Sequence, residues 1–140
     1  MKKQLHTIVL LSFIAVALSS CTKSSSNNSG TNYATQFVGT WNVTSNSCGS
    51  GNSSFSYAAG SSSNTITSSG SVGSGSCLKN FTLTGTTTAN GFVFSPQTVT
   101  DACGNSYTFS ETGTISGGVL TEVETVSGAI NESCTFTATK

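Results

Sequence analysis

Arginine is missing from this chain, and histidine occurs once, at His6. Charged residues make up 7% of the 140 positions, where a soluble domain carries about a quarter. With no arginine and a formal net charge of +0, the chain lacks the electrostatic footprint of a nucleic-acid-binding protein. A lone histidine leaves little for general-base or metal chemistry. One proline, Pro96, excludes a proline-rich spacer. At 140 residues there is no room for a cofactor domain beside a second domain, and no cofactor motif occurs. Long hydrophobic runs are also absent. The longest, residues 7–18, is about a dozen residues, and a spanning helix needs roughly 20.

Serine and threonine fill the place of charge, at about 50 positions. The first 20 residues read as an export signal: Met1-Lys2-Lys3 is a positive start, residues 7–18 (TIVLLSFIAVAL) are its apolar stretch, and Ser19-Ser20 are small. Leu18-Ser19-Ser20-Cys21 resembles the lipobox of bacterial lipoproteins. The resemblance implies cleavage before Cys21, acylation of that cysteine (palmitate among the chains), and anchoring to a membrane. Two or more acyl chains hold stably where one is marginal. Thr22 stands where some lipoproteins carry the aspartate that retains them at the inner membrane. That family rule implies the outer membrane, with the periplasmic or external face left open. Residues 21–34 then form the lipidated cysteine and a Ser/Asn/Gly-rich linker, and 35–140 the folded domain. Without His6 the exported part has no histidine, and Lys23, Lys79 and Lys140 face five acids.

From Gln36 onward no stretch has a helical period, and Thr, Val, Phe, Tyr and Ser alternate at period two. Eight strands are expected. The first carries Phe37, Gly39, Trp41 and Val43 on one face; the later ones carry Phe55/Tyr57/Ala59, Ile66, Phe81/Leu83/Gly85, Phe92/Phe94, Tyr107/Phe109/Ile115, Val119/Thr121/Val123 and Cys134/Phe136/Ala138. Gly/Ser/Asn clusters at 49–52, 60–63, 70–76, 104–105, 117–118 and 128–131 separate them, and Asn90-Gly91 suits a type I′ hairpin. Short connections point to an all-β, up-and-down antiparallel barrel. A β-sandwich is the alternative, although Trp41 precedes all the internal cysteines rather than lying between them.

Cys48, Cys77, Cys103 and Cys134 remain after Cys21, an even number in an exported chain, which reads as two disulfides. A zinc site is disfavoured, because no C-x-x-C spacing and no exported histidine occur; no metal is expected. Four cysteines allow three pairings. In an eight-strand meander all four lie at one end, and closure makes the first and last strands neighbours. The expected pairs are therefore Cys48–Cys134 and Cys77–Cys103.

Phe37-Val38-Gly39-Thr40-Trp41-Asn42-Val43 resembles the opening Gly-x-Trp strand of lipocalin-like proteins. The resemblance implies an eight-stranded barrel whose closed end is plugged by Trp41. Two features depart from the family: the arginine that usually packs on this tryptophan is missing, and no C-terminal helix is evident.

Inward rings are expected from Phe37, Trp41, Phe55, Tyr57, Phe81, Phe92, Phe94, Tyr107, Phe109 and Phe136. They could fill a small barrel or line an apolar pocket. Trp41, Phe55, Tyr57, Phe81, Tyr107 and Phe109 are the ring candidates for a small hydrophobic ligand. Glu111 shares parity with Tyr107 and Phe109 and joins them. A bulge at Gly113 would slip the register and solvate Glu111, the simpler expectation for an unpaired carboxylate. Glu122 and Glu124 alternate with Val119 and Val123 and read as a solvated face, about 7 Å apart by strand rise. With no cleft expected around them, no enzyme is expected. Three functions remain: a lipid-anchored binder of a small apolar molecule, a protein-interaction or hydrolase-inhibitor domain, or a structural envelope protein without a ligand. Loops near 49–54 and 68–76 are the expected places for a partner.

Overall fold

The computed structural model describes residues 31–49 and 54–140. Cys21, the expected export signal and most of the expected linker lie outside the described residues. The chain is a closed, eight-stranded antiparallel barrel in which strand order follows sequence order. The strands are β1 (Gly39–Asn46), β2 (Ser54–Ala59), β3 (Thr65–Val72), β4 (Lys79–Thr87), β5 (Gly91–Thr100), β6 (Ser106–Ser116), β7 (Val119–Gly128) and β8 (Glu132–Thr139). β8 pairs with β1 and closes the ring, so the sandwich alternative does not apply.

The outer face explains the wealth of hydroxyls. Thr40–Ser56, Ser69–Thr82 and Thr98–Thr108 are opposite one another in the ladders, and their side-chain oxygens lie 2.9, 3.0 and 2.9 Å apart. Such cross-strand pairs support a sheet where other proteins use ion pairs.

Two strands are bulged. β1 shifts register against β8 between Val43 and Ser45, and β5 shifts against β6 between Phe94 and Gln97, around Pro96. Proline cannot donate to a ladder, which accounts for the second bulge. There β4 and β5 share only two ladder partners, Thr86↔Val93 and Thr87↔Phe92. The Gln97 side chain takes over, accepting from Thr84 N and donating to Thr84 O, both at 3.0 Å. No bulge interrupts β6 at Gly113, where pairing to β7 is continuous.

Both ends of the barrel are defined by side chains. At the closed end a 3-10 turn (Ala34–Gln36) precedes β1, and Phe37 follows it as a cap rather than as a strand residue, with its N–H donating to Ala34 O. Ala34 is buried, so packing begins one residue before the expected boundary. Trp41 is buried beside it and donates from Nε1 to Phe37 O at 2.8 Å. Lys140 lies over the Trp41 ring, with Nζ 4.7 Å from its centroid, and donates to the carbonyls of Gln36 and Val38. A lysine after the last strand thus covers the tryptophan in a chain without arginine.

At the other end Cys48–Cys134 joins the chain after β1 to β8, and Cys77–Cys103 joins the β3–β4 and β5–β6 connections. Both expected pairs are present. Asp101 organises the second of these connections: its carboxylate accepts from the N–H groups of Cys103 and Asn105 and from Asn105 Nδ2, each at 2.9 Å.

Two turn expectations change. Asn90-Gly91 is not a type I′ turn, because Gly91 has no positive φ and opens β5. The true two-residue turn is Gly117-Gly118, with φ of 57° and 80°, between the paired Ser116 and Val119. Residues 68–72, expected in a loop, belong to β3 and pair with β4 from Ser68↔Leu83 to Val72↔Lys79. Backbone ladders do not need apolar side chains, so a Ser/Gly run can be strand.

Candidate functional site

The closed half of the barrel is filled with rings. Phe37, Phe92, Tyr57 and Phe94 follow one another with centroids 5.3, 5.0 and 5.9 Å apart. Among the described residues the half towards the disulfides is not filled. It holds a cavity of about 460 Å³, lined by Phe55 and Tyr57 of β2, Phe81 of β4, Phe109 and Glu111 of β6, Glu122 and Glu124 of β7, and Phe136 of β8. Ser54, Ser56 and residues 68–71 complete the wall.

Five of the seven expected ligand-facing residues meet here: Phe55, Tyr57, Phe81, Phe109 and Glu111. Trp41 and Tyr107 do not. Trp41 is used at the closed end, and the Tyr107 hydroxyl faces Asp101 Oδ2 at 3.4 Å in the β5–β6 connection. Glu122 and Glu124 are corrections. They point into the barrel, whereas Val119 and Val123 face solvent at 37% and 38% exposure. The reason is the two-residue turn. Gly117-Gly118 puts Ile115 opposite Leu120, Gly113 opposite Glu122 and Glu111 opposite Glu124. Residues opposite one another share a face, so β6's inward set carries Leu120, Glu122, Glu124 and Val126 inward with it. That signal was present in the sequence. The valines, which favour strands but need not be buried, pointed the other way. The cleft not expected around these acids is therefore present.

The electrostatics of this arrangement are unusual. Glu111 and Glu122 are 5% and 4% exposed, and among the described residues no lysine lines the cavity. Burial, then the neighbouring Glu122 and Glu124, pushes Glu111 up to about 8. Burial also pushes Glu122 up to about 7, with the Tyr57 hydroxyl pulling against it. Burial and Glu132 raise Glu124. Burial and the facing carboxylates raise Tyr57. Glu111 Oε2, Glu122 Oε2 and Tyr57 Oη are buried without a partner at hydrogen-bond geometry, so the hydroxyl and the carboxyls act on one another at longer range. Leaving such groups unpaired costs about 1–3 kcal/mol each.

Among the described residues Cys48, Glu132 and Cys134 also cluster, but the two sulfurs are bonded to each other and cannot serve as thiolate ligands. Comparison with protein-family models, curated proteins and solved structures finds no match to this chain.

Proposed function

We propose that this chain is a lipid-anchored cell-envelope lipoprotein whose lipocalin-like barrel holds a small, largely hydrophobic molecule. The observation that carries the reading is the unfilled half of the barrel. Its volume of about 460 Å³ falls within the roughly 300–1,000 Å³ of ligand pockets, and its wall sets the rings of Phe55, Phe81, Phe109 and Phe136 beside serines and three acids. The Gly39-x-Trp41 strand and the plugged closed end support the lipocalin-like assignment. The lipobox-like Leu18–Cys21 supports the anchor and, with Thr22, the outer membrane.

The acids support binding rather than catalysis. Acid–base pairs work when their environments push two pKa values apart. Here burial raises both Glu111 and Glu122, and among the described residues no cationic side chain lines the cavity to hold one of them ionised.

Mass spectrometry of the chain recovered from a bacterial envelope tests both parts. The denatured chain is expected to begin at an acylated Cys21, and the native chain to carry a discrete mass that is lost on denaturation. An unmodified N-terminus would remove the anchor from the reading. A barrel that stays empty after incubation with envelope lipid extract would remove the ligand.

A further inference from the structure

The walls and the floor of the cavity differ in chemistry. The walls are two ring pairs, Phe55–Phe136 with centroids 6.1 Å apart and Phe81–Phe109 at 4.8 Å. Each pair flanks a bulged strand: β1 lies between β2 and β8, and β5 between β4 and β6. The floor is Glu111, Glu122 and Tyr57, all at least nine-tenths buried, each with an oxygen that has no hydrogen-bond partner.

Building on the small-ligand reading above, we propose that the ligand is a primary ammonium ion on an apolar body, its nitrogen on Glu111, Glu122 and Tyr57 and its body between the ring pairs. Three observations converge on this class. Three oxygens on the floor lack donors, and a primary ammonium brings three N–H groups and no acceptor. Among the described residues every charged residue that lines the cavity is an acid, with Glu124 above the floor, so an anionic ligand such as a fatty acid meets repulsion. The phenyl rings of Phe55, Phe136, Phe81 and Phe109 give the uncharged body apolar surface to pack against. A calcium ion, which takes six to eight oxygens, is the rival cation that the titration below separates from an ammonium.

Protons enter the binding equilibrium. The titratable groups that face Glu111 are Tyr57 from β2 and Glu122 and Glu124 from β7; Glu132, at the start of β8, acts on Glu124. β3, β4, β5 and β8 contribute serines, Gly70, Phe81, Phe94 and Phe136 around this level, none of them charged. The empty pair retains a proton near neutral pH, and an ammonium arriving there replaces it, so binding releases a proton.

Calorimetric titration of the full-length chain in detergent micelles tests this with three probes: 2-phenylethylamine, its neutral counterpart 2-phenylethanol, and calcium chloride. The amine is expected to bind at least tenfold more tightly than the alcohol near pH 8. Its affinity should fall by about tenfold per pH unit below the pair's titration, with a heat that varies with the buffer as the released proton is taken up. Glu111→Gln and Glu122→Gln should each abolish the preference for the amine over the alcohol. The wild-type pH series needs no variant, so it stands even if a Gln variant fails to fold. Equal binding of alcohol and amine overturns the ammonium assignment and leaves the cavity reading intact. Binding of neither overturns both. Calcium binding that depends on Glu111 overturns the ammonium in favour of a metal.

Discussion

Gly113 has no side chain because the Phe92 ring occupies the space where one would project. Gly85 stands in the same relation to Phe94, where a Cβ would meet the ring at 2.8 Å, and Gly70 to Phe81 at the same distance. Rings lying flat on strand glycines pack the interior without pushing the sheets apart. The two kinds of ring differ in freedom. Phe92 is 2% exposed and enclosed by Phe37, Tyr57 and Phe94, while Phe81 is half-buried beside the cavity. Gly113→Ala should therefore cost about 1–3 kcal/mol or more by overpacking, and Gly70→Ala well under half as much, because Phe81 can swing into open space. Urea denaturation of the two variants measures the difference. Equal losses would mean that the cavity does not relieve strain. These glycines could be counted in the sequence, but their ring partners could not be named, because each contact joins residues brought together by strand pairing.

The elements of the barrel are tied most strongly at its open end. Cys48–Cys134 closes a separation of 86 residues and Cys77–Cys103 one of 26. In the chain-entropy account these loops are worth about 4.6 and 3.5 kcal/mol. Replacing Cys48 and Cys134 by alanine should thus destabilise the barrel by about 1 kcal/mol more than replacing Cys77 and Cys103. Denaturant titrations of the two double variants under non-reducing conditions would show it, and a reversed order would mean that the shorter tie, with the Asp101-centred turn beside it, carries the greater constraint. The pairing was legible before the structure because it needs only a count of strands and the neighbourhood of first and last. The bulges were not. Pro96 announces an interruption, but the compensation by the Gln97 side chain arises only once β4 and β5 lie side by side.

The molecule as a whole carries two of its acids, Glu111 and Glu122, where they are costly. Glu111 and Glu122 hold protons more tightly folded than unfolded, so their contribution to stability is fully present below the ordinary value of 4.5 and is lost as pH rises through about 7 and 8. Each unit of such a shift corresponds to about 1.4 kcal/mol. Asp101 acts in the opposite sense. Its hydrogen bond from Asn105, with the backbone donors of Asn105 and Cys103, holds its carboxyl below the ordinary range, so that contribution is lost only in stronger acid. Melting temperature should accordingly peak in mild acid, near about pH 5, and decline towards pH 8.5. In the Glu111→Gln, Glu122→Gln double variant the decline should flatten while the acid limb remains. A wild-type profile that rises from pH 5 to 8 would show that the two carboxyls are solvated. The two disulfides and the ring-filled closed half are what can sustain such a site.

Alternation, turn residues and cysteine spacing by themselves determined eight strands, a meander and two cross-links, because each is a local or counting property of the chain. The Gly117-Gly118 turn even contained the inward facing of Glu122 and Glu124, although Val119 and Val123 obscured it. Only the tertiary structure decided that Lys140 covers Trp41, that the rings fill one half of the barrel, and that Glu111, Glu122 and Tyr57 converge in the other. The physical reason is closure. Which side chains meet inside a barrel depends on where β8 meets β1 and on the two bulges that set the stagger, and neither is a property of any one strand.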